Sequence, residues 1–128
     1  MSTRDQVARL VRHVEANRIL DAIDEFYADD VSMQDNLNAP VVGKAANRER
    51  ERAFFGGITV HQHRALSVAV DGDQAVIHWL FEFTGGDGKR YRIDQLAHQS
   101  WKDGRIVRER FYYDSARIVD EAAGAVAA

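Results

Sequence analysis

Residues 27–43, YADDVSMQDNLNAPVVG, decide how the chain is read, because a helix end, a short strand and a loop follow one another there. Phe26 and Tyr27 close an apolar pattern of helical period, and Asp29 with Asp30 favours a turn that ends the helix. Val31 to Asp35 then alternates, with Val31, Met33 and Asp35 on one side and Ser32 and Gln34 on the other. An acid on the apolar side needs a reason. Burial without a partner would raise its pKa toward the range that a proton-transferring carboxylate needs. Asp35 is therefore the first candidate for chemistry, set against a plainer reading in which it caps a turn through Asn36 and Asn38. Pro40 falls in the irregular loop beyond, where a fixed φ is useful and a cis bond is admissible.

On the N-terminal side, Ser2 or Thr3 can cap a first helix with Asp5 in its opening turn. Val7, Leu10, Val11 and Val14 fall at helical spacing along it. The apolar phase restarts at Ile19, Leu20, Ile23 and Phe26, so a break near 16–18 and two short helices fit better than one long helix. On the C-terminal side, Lys44 to Phe55 reads as a third helix ended by Gly56 and Gly57. Within it RERER at 48–52 reads as a solvated face with ion pairs.

From Ile58 the period changes to two. Ile58 to Val70, Gln74 to Thr84, Arg90 to Trp101 and Arg105 to Asp114 are four long strands. DGD at 71–73, GGDGK at 85–89 and KDG at 102–104 are the turns of an antiparallel meander. Ser115 to about Ala123 reads as a last helix, trailing into a frayed GAVAA.

A length of 128 residues suits one domain spanning 1–128, with its core at about 5–118 and 119–128 as a loose tail. Seventeen basic against twenty acidic side chains leave a net charge of -3, which offers no surplus for a phosphate backbone and argues against nucleic-acid binding. Cysteine is absent, which rules out disulfides, a thiolate nucleophile and a cysteine zinc site. No run approaches the ~20 apolar residues of a membrane span, and MSTRDQVARL has no apolar signal core. The expectation is a soluble, cytoplasmic protein without a membrane partner.

Strand faces carry the functional reading. In the second long strand Ala75, Ile77, Trp79, Phe81 and Phe83 share a side; in the third, Tyr91, Ile93, Gln95, Ala97, Gln99 and Trp101; in the fourth, Val107, Glu109, Phe111 and Tyr113. Large aromatic surface with a few isolated polar groups is the composition of a small-molecule pocket. Helices in the N-terminal half over a curved sheet in the C-terminal half give an α+β cone of four long strands plus one short strand, with the pocket between the layers.

The strings YADDVSMQDNLNAPVVGK at 27–44, VDGDQAV at 70–76 and DGRIVRERFYYD at 103–114, in this order and spacing, resemble the nuclear-transport-factor-2-like superfamily. The likeness is to its SnoaL-like, ketosteroid-isomerase-like branch and extends over about 5–118. It implies a cystatin-like cone and a homodimer. It also implies cofactor-independent acid-base chemistry of the isomerase, cyclase or dehydratase class on a mostly apolar carbonyl or hydroxyl compound. A non-catalytic ligand-binding or interaction module of the same fold is the alternative.

By this resemblance Asp35 matches the proton-shuttling aspartate of the isomerases and Glu109 a pocket-facing position, making these two the catalytic candidates. The isomerases' two oxyanion donors would fall at Val11 and Ala97, and the cyclases' aspartate at Phe111, so those sets do not carry over. The candidate substrate-binding residues are Tyr27 and Met33 on the first strand, Phe55 on the third helix and Trp79, Phe81, Tyr91, Gln95, Phe111 and Tyr113 on the meander.

Regular alternation would put His61, His63, His78 and His98 on the outer face, and no tight ligand spacing calls for a metal. A bulge in the Ile58 to Val70 strand, where the pattern over 62–65 is irregular, would turn His61 or His63 into the pocket. The chain would then resemble the scytalone-dehydratase-like branch, which has a pocket histidine at about the distance His61 stands before the DGD turn, and that resemblance would imply a dehydratase. The outer face mixes charge with Leu80, Leu96 and Tyr112, as expected of a surface shared with a second copy.

Overall fold

The protein is described here from a computed structural model covering residues 1–117, 119 and 120. Helix α1 (Thr3–Glu15) starts at a capping box in which Ser2 accepts from the Asp5 N–H and the Asp5 carboxylate accepts from the Ser2 N–H. Its apolar stripe, Val7, Leu10 and Val14, is buried. After a break at Ala16, Asn17 and Arg18, helix α2 (Ile19–Phe26) buries Ala22, Ile23 and Phe26.

Strand β1 (Tyr27–Asp35) begins where the sequence suggested a helix end and a turn. Tyr27 is already paired with Ile106, and the register slips between Tyr27 and Ser32. The turn preference of Asp29 and Asp30 is therefore expressed as a solvent-exposed irregularity within the strand rather than as its start. A two-residue strand β2 (Val41–Val42) follows, then helix α3 (Lys44–Gly56). Gly43 precedes α3 at φ 105, a conformation that β-carbon sterics deny other residues, and its N–H donates to the Val31 carbonyl at 2.8 Å. Pro40 is not preceded by a cis bond.

Strands β3 (Thr59–Asp71), β4 (Gln74–Thr84), β5 (Arg90–Lys102) and β6 (Arg105–Tyr112) form the expected meander. The sheet order is β2-β1-β6-β5-β4-β3, with β1 added parallel to β6 and the other pairings antiparallel. The three helices pack on one side of this curved sheet, giving the α+β cone. The helix expected over 115–123 is not found among the described residues: Ser115–Arg117 is one 3-10 turn, in which Asp114 accepts from the Ala116 N–H. Val119–Asp120 (β7) then pairs with β5 at Arg92 and Tyr91. The reason is an open edge, since β6 pairs β5 from Leu96 onward and leaves the start of β5 to another strand. The expected tail at 121–128 lies outside the described residues. No helix among the described residues is long and apolar enough to cross a membrane.

The core joins the helix stripes to the concave face of the sheet, with Phe26, Val31, Ile77, Ala97 and Ile106 at 0% exposure. Phe26 meets Trp101 edge-on at 6.4 Å and His13 at 5.1 Å, linking α2 to the sheet and to α1. Phe26→Ala is expected to lower unfolding free energy by about 3–5 kcal/mol through lost burial and an unfilled cavity, measurable by urea denaturation.

Candidate functional site

Between the helices and the sheet lies a cavity of about 370 Å³. Strand register arranges the sheet beneath it in rows. Met33, Glu109, Gln99 and Ala75 form one row across β1, β6, β5 and β4. Asp35, Phe111, Ala97 and Ile77 form the next. Gln95 with Trp79, then Ile93 with Phe81 and His63, continue the series toward β3. Helix α3 supplies Arg50, Glu51, Phe54 and Phe55 to the opposite wall.

Glu109 is 2% exposed and has no arginine partner among the described residues. The Tyr27 hydroxyl donates to Oε1 at 2.5 Å and the Gln99 amide donates to Oε2 at 2.7 Å. The Trp101 indole N–H donates to Gln99 Oε1 at 3.1 Å, which fixes the amide so that its NH2 faces the carboxyl. Burial pushes the Glu109 pKa up to about 7; the two donors pull it down, and the charges of Glu51 and Asp35 add to the rise. The Tyr27 phenol is itself pushed well above its ordinary value, first by burial and then by Glu109.

Asp35 lies in the same cavity but is not an isolated buried acid. Its side chain is 30% exposed and faces the Arg50 guanidinium at 3.4 Å. Arg50 also donates to Asn47 Oδ1 at 3.1 Å, and Asn47 donates in turn to the carbonyls of Val41 and Gly43. The Arg50 Nε is enclosed without a hydrogen-bond partner. Glu51 faces the cavity, and burial raises its pKa, with Asp35 adding to the effect and Arg50 opposing it.

Only one of the two β3 histidines enters. His61 has no residue opposite it on β4, because Val60 pairs with Phe83 and Gln62 with Glu82. That extra residue reverses the alternation. His61 turns out to meet Thr84 Oγ1 at 2.6 Å, while His63 turns in opposite Phe81. The His63 ring stacks on Phe81 at 4.4 Å and lies 4.9 Å from Trp79, and burial lowers its pKa to about 4. His78 bonds Asp94 at 2.6 Å and His98 bonds Gln74 at 3.0 Å, both on the outer face.

Of the residues chosen from sequence, Asp35, Glu109, Tyr27, Met33, Phe55, Trp79, Phe81, Gln95, Phe111 and Tyr113 line the cavity, with His63. Tyr91 does not: its hydroxyl donates to Asp87, because the 85–89 turn folds back over the ring. The RERER reading is corrected as well. Arg48 and Arg52 do lie in solvent, paired with Asp24 and Glu49, but Arg50 and Glu51 point inward. The signal was present, since Glu51 stands three and four residues before Phe54 and Phe55 and so shares their helix face.

Two opposed titrations follow from the burial of Glu109 and of His63. Between about pH 4.5 and 7 the unfolded chain releases the Glu109 proton while the fold keeps it, so stability falls as pH rises, by roughly 3 kcal/mol. Between about pH 4 and 6.5 the unfolded chain protonates His63 while the fold does not, so stability rises with pH by a similar amount. Urea titrations across this range are expected to show Glu109→Gln gaining stability relative to the parent as pH rises. His63→Phe is expected to lose it.

Residues 7–109 match the SnoaL-like domain family model. No curated protein matches the sequence significantly. Among solved structures, a Mesorhizobium loti protein assigned as a SnoaL-like polyketide cyclase superposes with a TM-score of 0.81 at 24% identity, over 88% of this chain and 100% of that one. An LEH-like epoxide hydrolase from M. tuberculosis gives 0.75 at 18% identity, over 96% and 88% of the two chains. A Rhodopseudomonas palustris protein assigned as an isomerase gives 0.74 at 17% identity, over 97% and 98%. At these identities the structural likeness establishes the cone fold, and the family match over most of the sequence makes the chain a member of the SnoaL-like domain family.

Proposed function

We propose that the chain is a small-molecule enzyme that moves a proton within this cavity, in the isomerase, cyclase or dehydratase class, on a mostly apolar carbonyl or hydroxyl compound. The observation that carries this reading is Glu109: a fully buried carboxyl with a pKa of about 7, facing an apolar chamber and coupled to the Tyr27 hydroxyl. Ionised, it accepts from Tyr27 and Gln99. Protonated, it donates to the Tyr27 oxygen and frees the phenol hydrogen to turn toward a ligand oxygen. Asp35, oriented by Arg50 at the cavity lip, supplies the second carboxyl. The names isomerase, cyclase and epoxide hydrolase among structures of this fold agree with proton-transfer chemistry. The neutral, inward imidazole of His63 favours dehydration among the three classes.

Carbonyl and hydroxyl compounds incubated with the protein in deuterated water, followed by proton NMR, would reveal turnover or C–H exchange. For a compound that reacts, Glu109→Gln is expected to lower kcat by about 10²–10⁴-fold and to remove an inflection in kcat/KM near pH 7. Full turnover by both Glu109→Gln and Asp35→Asn would sink the proposal.

A non-catalytic binder is the second reading. It is favoured by the pairing of Asp35 with Arg50 and of both Glu109 oxygens with internal donors, which engages both catalytic candidates within the protein. Compounds that bind but show no change at any pH support it. On the outer face, exposed Val76, Leu96 and Tyr112 support a homodimer formed through the sheet. Sedimentation at micromolar concentration is expected to show twice the 14.5 kDa chain mass, and a lone monomer would contradict this.

A further inference from the structure

We infer that the corner where α1 meets α2 is a binding site for a phosphate group, held among Arg9, Arg12, His13 and Arg18. The site is separate from the cavity between the helices and the sheet, and the inference does not depend on any chemistry there.

A smaller recess of about 230 Å³ lies at this corner, and its lining among the described residues is Arg9, Arg12, His13 and Arg18. The whole chain carries a net charge of -3, so basic groups gathered on one recess reverse that charge locally. Basic residues in the last turn of a helix complement its dipole, which accounts for Arg12 and His13. It does not account for Arg9, a turn earlier, or for Arg18, beyond the helix end. Two of the four are fixed in place before any ligand arrives. The Arg9 guanidinium lies over the Phe26 ring at 5.2 Å, donates to Gln6 Oε1 at 2.8 Å and pairs with Glu25. The His13 ring meets Phe26 edge-on at 5.1 Å, with Nδ1 2.8 Å from the Arg9 carbonyl and Nε2 3.2 Å from Glu25 Oε2. Both of its nitrogens face oxygen acceptors, an arrangement that suits the cationic ring.

The donors of this corner outnumber its acceptors. A guanidinium has five N–H groups, of which Arg9 spends two, on Gln6 and Glu25. Arg18 spends one, on Asp21 at 2.9 Å. The Arg12 guanidinium meets no acceptor among the described residues. Two carboxylates, Glu25 and Asp21, stand against the four basic groups, which leaves positive charge in excess. Guanidinium forks match the oxygens of a phosphate group in geometry, and a phosphomonoester carries nearly two negative charges near neutral pH. One such group has room in the recess, where it spans the break at Ala16, Asn17 and Arg18 and ties the two helices together. The other faces of these helices carry Leu10, Val14, Ile19 and Ile23 to the cavity, so the anion fastens its apolar end from outside.

The probe is inorganic phosphate, exchanged for chloride at constant ionic strength and followed through the amide NMR signals of the full chain. The amides of residues 9–21 are expected to shift to saturation with a Kd on the order of 1 mM. Arg12→Gln and Arg18→Gln, both at exposed positions, should each weaken binding roughly tenfold, whereas Arg64→Gln, an exposed arginine on β3, should leave it unchanged. Shifts that never saturate, or saturation equally strong in both variants, overturn the site. Sedimentation with phosphatidylcholine vesicles containing phosphatidic acid separates the two sources of the group. A response to inorganic phosphate without sedimentation assigns the site to a soluble phosphate. A response to both, lost together in Arg12→Gln, assigns it to a lipid headgroup. Sedimentation without any response to inorganic phosphate overturns it.

Discussion

The interior of this protein is arranged around a carboxyl group removed from water. A buried glutamate is tolerated when hydrogen-bond donors meet it or when it keeps its proton, and Glu109 has both remedies at hand. Tyr27 and Gln99 donate to its two oxygens, and Trp101 holds the Gln99 amide in the orientation that makes this work. These four residues come from β1, β6 and β5, so the chain of hydrogen bonds closes only when β1 lies against β6 and β6 against β5. Replacing any member leaves a buried polar group unsatisfied, and such a network specifies one strand arrangement more sharply than apolar packing does.

The parallel addition of β1 to β6 turns that constraint into a site. It sets Met33 beside Glu109 and Asp35 beside Phe111, so the two acids stand one row apart along the same wall. The helices then close the space above. Leu10, Val14, Ile19 and Ile23 give the chamber its apolar end, and α3 gives it an aromatic and charged one. Asn47, fully buried at the start of α3, anchors that helix to Val41 of β2 and to Gly43 after it, and accepts from Arg50, which in turn faces Asp35. The position of the lip acid is thus tied to the packing of α3 through Arg50, 15 residues further along the sequence.

The bulge at His61 shows how a small local irregularity redirects chemistry. One extra residue in β3 reverses the alternation and puts an imidazole among aromatic rings, where desolvation holds it neutral. A regular strand would have placed His61 and His63 both on the outer face. The sequence had marked the segment as irregular without saying which histidine would turn.

Periodicity by itself determined the three helices before the meander, the meander and the aromatic concave face, because 3.6-residue and two-residue repeats of apolar side chains have few other physical solutions. It also pointed Glu109 inward through its alternation with Phe111, although a bulge at Val107 puts Ile106 in the core at the start of the same strand. Composition could not tell that Arg50 and Glu51 would leave a run of charges to face a cavity, because a charged residue is usually solvated and only the closure of α3 over the sheet reverses that preference. Nor could it tell that Asp35 would meet a guanidinium while Glu109 would not. The pKa of an acid depends on partners brought from distant segments, and those partners exist only once the chain has folded.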